Sequence, residues 1–229
     1  MKVLLITNYK ALQVKYGVHM ETILARIGDL ICNDRSLGLD TRLVYVDSMG
    51  LPSAADVTDP NDQKQNKEAV DALISVYAPD YTVLLGAQDI IPFQQLQDPV
   101  PPLTPGTVNY FPSDLPYACD AGYSQDITAF LNPSRKITRL PDVYGTLVQD
   151  GLEAFIKTLY YVRKIVPSNI SLYKDWWNVC TTQRLNEMYA VKNYFSSRGI
   201  NFDIGVSPPQ GDNWDVGKYA RMVHHHICF

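Results

Sequence analysis

A chain of 229 residues, 46% hydrophobic and 19% charged, is long enough to bury one large α/β core or two small ones, and its formal net charge of −4 leaves no basic stripe for nucleic acid. No apolar run approaches the ~20 residues of a membrane-spanning helix, and residues 1–6 are too short an apolar run for a signal peptide. Cys32, Cys119, Cys180 and Cys228 lie far apart without paired spacing, which fits reduced thiols in a cytoplasmic protein rather than a disulfide framework.

Lys2–Thr7 reads as the first strand. A helix is expected over 19–36, with Ile23, Leu24, Ile27, Leu30 and Ile31 at helical spacing and Gly38 just past its end. Residues 41–46 form a second strand, and 62–78 an amphipathic helix that starts at an Asn/Asp cap and is stopped by Pro79. Tyr81–Leu85 is a third, apolar strand that ends in Gly86-Ala87-Gln88-Asp89. After the first strand, Thr7-Asn8-Tyr9-Lys10 holds no glycine before Gly17, so a nucleotide site of the Rossmann or P-loop kind is not expected.

Over 92–141 the periodicity is lost, and Pro99, Pro101, Pro102, Pro105, Pro112 and Pro116 crowd together. This stretch reads as a long Pro-rich loop without regular secondary structure. Tyr110, Phe111, Tyr117, Tyr123 and Phe130 give it enough apolar surface to pack on the domain. The helical pattern resumes over 145–166, with Leu152, Phe155, Ile156, Leu159, Tyr160 and Val162 as its buried side. A fourth strand over 176–181, a helix over 183–198 closed by Gly199, and a fifth strand, Asn201–Val206, follow. A short helix over 214–221 leads into a terminal strand, 223–229. Alternating strands and helices predict a single α/β domain over 1–229, a mainly parallel sheet with helices on both faces.

The terminal strand carries His224, His225 and His226, then Cys228. Strand alternation puts His224 and His226 on one face and His225 and Ile227 on the other. Satisfied core histidines, a purification tag and metal chelation by His224 and His226 all fit this pattern. No Cys/His/Asp cluster at ligand spacing supports a metal, and none is expected.

Four segments stand in a recognisable order: Tyr81-Thr-Val-Leu-Leu-Gly-Ala-Gln-Asp-Ile-Ile-Pro92, Ser113-Asp114-Leu115-Pro116-Tyr117, Asp126-Ile127 and Thr138-Arg139-Leu140-Pro141. That order resembles the gingipain-like cysteine peptidases of the caspase–hemoglobinase clan. The resemblance spans 81–229, while the first eighty residues agree in pattern only. Thr138 stands where the family has Gly, and Ala87 where it has Asp, although Asp89 lies close by.

The resemblance implies a three-layer caspase-like fold and endopeptidase activity on a protein or peptide substrate, with a Cys–His dyad and no metal or cofactor. By register the family's His falls at or beyond Phe229, which makes His226 the candidate catalytic residue. The Cys-bearing strand would then follow outside this sequence. Cys228, on the same strand as the histidines, reads as a buried structural thiol. The resemblance therefore implies an incomplete catalytic unit, inactive as this chain alone and open to self-association through its C-terminal edge strand. Arg184 matches a position where arginine-specific members hold an acidic residue. It implies a preference for acidic substrate side chains, against the simpler reading of a solvated first-turn Arg. Asp114 and Arg139 read as a structural ion pair that anchors the long loop. Two alternatives remain: a non-catalytic caspase-like binding module, and a doubly wound small-molecule enzyme with its site at the strand carboxyl ends.

Overall fold

Leu4, Leu5 and Ile6 are all buried, so the first strand has no solvent face and its sheet is covered on both sides. This strand is β1 (Lys2–Thr7) of a computed structural model that describes residues 1–52, 54–98, 108–144, 148–162, 175–180, 182 and 185–206. The other elements are α1 (Tyr9–Tyr16), α2 (Met20–Ser36), β2 (Asp40–Tyr45), α3 (Gln63–Tyr77), β3 (Tyr81–Leu85), β4 (Gln94–Gln97), β5 (Tyr110–Ser113) and β6 (Ile137–Leu140). They are followed by α4 (Val148–Val162), β7 (Asp175–Cys180), α5 (Leu185–Ser196) and β8 (Asn201–Val206). The chain divides into two compact units, Met1–Ile165 and Val166–Phe229. No helix among the described residues is long and apolar enough to cross a membrane.

The first unit is an α/β fold built on a four-stranded parallel sheet in the order β2-β1-β3-β6. Leu5 lies between Leu43 of β2 and Val83 of β3, and Leu84 of β3 stands beside Arg139 of β6. Its core gathers Ile6 from β1, Leu12 from α1, Ile23 and Ile27 from α2, Val70 and Leu73 from α3, Leu84 and Leu85 from β3, and Phe155 from α4. Asp62 caps α3 by accepting from the Gln65 amide at 3.0 Å, and Ala78 closes that helix in the left-handed conformation, φ 44°. Pro79 follows, as expected for a sharp stop.

Three features depart from the sequence expectations. First, α1 was not foreseen: Asn8 starts it by accepting from the Ala11 amide at 2.9 Å, and it buries Ala11, Leu12 and Tyr16. Eight residues are too few to show a clear helical period. Second, the described residues of the 92–141 stretch contain three strands. β4 and β5 form an antiparallel ribbon in which Gln95 faces Pro112 and Leu96 faces Phe111, while β6 joins the main sheet parallel to β3. A two-stranded ribbon leaves alternate N–H groups outside the ladder, so it tolerates Pro112. The Ile-Thr-Arg-Leu run of β6 is too short and too polar to announce a central-sheet strand. Third, Tyr160 is 37% exposed, whereas Leu152, Phe155 and Leu159 are buried. At about 100° per residue Tyr160 lies roughly 80° round the helix from Leu152, at the edge of the buried stripe.

In the second unit β7 pairs in parallel with β8, with the backbone of residue Trp176 in register with that of Phe202. Cys180, Met188 and Phe202 form its small core, and the Phe195 and Phe202 rings stack with centroids 5.5 Å apart. Gly199, at φ 71°, supplies the left-handed turn after α5. The expectations for 214–221, for the strand 223–229 with His224, His225, His226 and Cys228, and for Arg184 lie outside the described residues.

Phe155 is fully buried against Tyr16, ring centroids 6.0 Å apart, so Phe155→Ala is expected to cost about 3–5 kcal/mol of stability. Tyr160→Ala on the same helix is expected to cost less than Phe155→Ala, because part of its ring already faces water. Urea denaturation of the two variants checks the assignment of the buried face.

Candidate functional site

In an open parallel sheet, ligands bind outside the strand carboxyl ends, at the point where the strand order reverses. Here that point lies between β1 and β3, since β2 was added on one side of β1 and β3 on the other. β1 ends there in Thr7-Asn8, β3 in Gly86-Ala87 and β6 in Pro141-Asp142. Thr7 donates its hydroxyl to the Leu85 carbonyl at 2.8 Å and ties the first two strand ends together.

Two carboxylates fill this crevice from within. Asp47, just past β2, accepts the Tyr9 amide at 2.8 Å and the Lys10 amide at 3.0 Å, and so occupies the amino end of α1 where an anionic ligand would otherwise sit. Asp142, with a side chain fully shielded from solvent, accepts the Ala87 amide, the Tyr16 hydroxyl and the Lys15 ammonium, the last at 2.7 Å. Lys15 also reaches Asp89 at 2.7 Å and the Val143 carbonyl at 3.0 Å. The second oxygen of Asp89, Oδ1, is buried and has no hydrogen-bond partner among the described residues. Burial works against the Lys15 charge, but the hydrogen bonds and charges of Asp142 and Asp89 outweigh it, and its pKa is raised. Burial, then the hydrogen bond to Asp142, pushes the Tyr16 phenol far up.

Next to this crevice, Arg139 of β6 gathers segments distant in sequence. Its Nη2 and Nε meet the Asp114 carboxylate at 2.6 and 2.8 Å, and its Nη1 donates to the Gly86 and Ile91 carbonyls at 2.8 Å and to that of Ala87 at 3.3 Å. The guanidinium also sits over the Phe93 ring, 4.6 Å from its centroid. The turn it holds needs glycine. Gly86 has φ 117°, and a Cβ there would lie 2.6 Å from that of Ile90.

A second charged network ties the 92–141 stretch to α3. Lys67, fully buried, meets both Asp71 oxygens at 2.6 Å and the Cys119 carbonyl at 3.1 Å. Arg135 pairs with Asp71 and, at 2.9 Å, with Asp120. Burial lowers the Lys67 pKa, against the pull of Asp71. Tyr117, also buried, donates to the Pro92 carbonyl at 2.8 Å and accepts from Gln94 at 2.7 Å.

None of the three thiols among the described residues is set up as a nucleophile. Cys119 packs with Leu96 and Phe130 and donates to the Phe130 carbonyl at 3.5 Å, and Cys180 lies in the core of the second unit. Burial pushes both thiols up, the opposite of what a thiolate nucleophile needs. Cys32 is exposed on α2, and the helical rise puts it roughly 20 Å along that helix from His19. Among the described residues no group of three or more His, Cys, Asp or Glu side chains is placed to hold a metal ion.

Of the residues singled out from sequence, the structure brings together Asp114 and Arg139 and places Asp89 against Lys15; His226, Cys228 and Arg184 lie outside the described residues. Sequence reasoning missed Lys15, Tyr16, Asp47 and Asp142. A positional signal existed for the two acids, since each lies two residues past the carboxyl end of a strand.

No family model matches the chain, and none of the curated proteins does. Among solved structures, the Arg-specific cysteine proteinase gingipain R is similar at a TM-score of 0.42 and 15% identity, over 90% of this chain and 41% of that one. The chain thus spans less than half the length of that structure.

Removing one partner of a buried, multiply bonded charge pair costs about 3–5 kcal/mol, so Arg139→Met is expected to destabilise the first unit toward the lower end of that range, Asp114 being 27% exposed. Arg139→Lys is expected to recover only a minor part, because an ammonium cannot reproduce the planar fork. Guanidinium unfolding of the two variants tests both statements.

The folded-state pKa of Lys15 and that of Tyr16 both lie above their unfolded values. Their contribution to stability is therefore complete below about pH 10 and is lost as pH climbs through the folded values. The stability gap between wild type and Lys15→Met is expected to stay constant from about pH 7 to 9 and to shrink above about pH 10.5. Denaturation midpoints across that range read it out, and a gap that widened with pH would refute the assignment.

Proposed function

We propose that this chain supplies the sheet and strand-end scaffold of a gingipain-like cysteine endopeptidase, with the Cys–His dyad drawn from outside the described residues. One observation carries the reading. Three of the four segments that give the sequence its gingipain-like order, 81–92, 113–117 and 138–141, converge on the Arg139 guanidinium through Gly86, Ala87, Ile91 and Asp114. A shared structural task accounts for why these short motifs occur together and in this order. The competing doubly wound small-molecule enzyme is disfavoured, because Asp47 and Asp142 occupy with internal partners the crevice such an enzyme would leave open.

In such a peptidase the imidazole promotes thiolate formation, and backbone N–H groups stabilise the oxyanion of the acyl-transfer step. His226 is the proposed imidazole, with the nucleophile on a strand that follows it. Arg184 is proposed to favour an acidic side chain in the substrate by charge pairing. On this reading a chain without that nucleophile is inert toward peptides, and the strand expected over 223–229 is proposed to pair with a second copy.

Native alkylation is expected to modify Cys32 and to spare Cys119 and Cys180 until denaturant is added, as peptide mass spectrometry would show. The 229-residue chain is expected to show no thiol-dependent cleavage of casein or of fluorogenic peptides with acidic or basic side chains. Cleavage abolished by Cys228→Ala would overturn the inert reading. Sequencing the encoding locus past Phe229 tests the proposal directly. An in-frame His and a Cys-bearing strand support the peptidase scaffold, and a chain extended to include them should cleave peptides with acidic side chains. Unrelated sequence favours the non-catalytic module.

A further inference from the structure

We draw no further inference here: the strongest candidate, the Lys15, Tyr16, Asp89 and Asp142 cluster at the carboxyl ends of β1, β3 and β6 with its unpartnered Asp89 Oδ1, belongs to the site already described, and nothing in the structure shows which donor would complete it.

Discussion

The Arg139 guanidinium is the point on which the strand-end architecture depends. A planar fork of N–H donors can satisfy a carboxylate and several carbonyls at once, and here it joins Asp114 to the carbonyls of the turn that follows β3. Of these, the Ala87 carbonyl also accepts the Ile90 and Ile91 amides at 3.0 Å, so the guanidinium matters most for the carbonyls of Gly86 and Ile91. Arg139 sits on β6, parallel to β3, so the same residue sets the sheet register on one side and the turn geometry on the other. The glycine at 86 completes the arrangement, because only a residue without a side chain lets the chain turn back close to Ile90.

The crevice beside it is filled rather than empty. Helix α1 brings Lys15 and Tyr16 onto Asp142, while Asp47 takes the first amides of that helix. Asp142 takes donors both from α1 and from the turn after β3, a stronger arrangement than a single surface pair, whereas the two donors to Asp47 are successive amides of α1. The first eighty residues, which carry no recognisable motif, are thereby bonded to the later part of the unit through Lys15 with Asp89 and Asp142, through Lys67 with the Cys119 carbonyl, and through Asp71 with Arg135. Nucleotide chemistry at the first strand end is disfavoured for the same reason: the helix amino terminus already has its anion.

The strongly patterned elements were legible in the sequence. β1, β3 and β8 read directly, because four to six consecutive apolar or alternating residues bounded by polar turns admit few other structures. α3 was legible from its Asp62 cap and the Pro79 stop, and α2 from its periodic isoleucines and leucines. β4, β5 and β6 were not, since each is four residues long, lies among prolines and draws its stability from partners distant in sequence. The Asp114–Arg139 pair was legible as an ion pair, but its further bonds to Gly86, Ala87 and Ile91 were not, because carbonyl acceptors leave no mark on residue identity.

By itself, then, the sequence determined an α/β chain with a parallel sheet, the places of its long helices, the absence of a glycine-rich phosphate loop, and the motif order that suggests a gingipain-like scaffold. These follow from local periodicity, capping and turn chemistry, which act over a few neighbouring residues. Only the tertiary structure decided that β6 lies beside β3, that Lys15 and Tyr16 close on Asp142, and that Lys67 is buried under the 92–141 stretch. Such contacts join residues 50 or more positions apart, and their energy comes from desolvated charges and shared hydrogen bonds that exist only once the chain has folded around them.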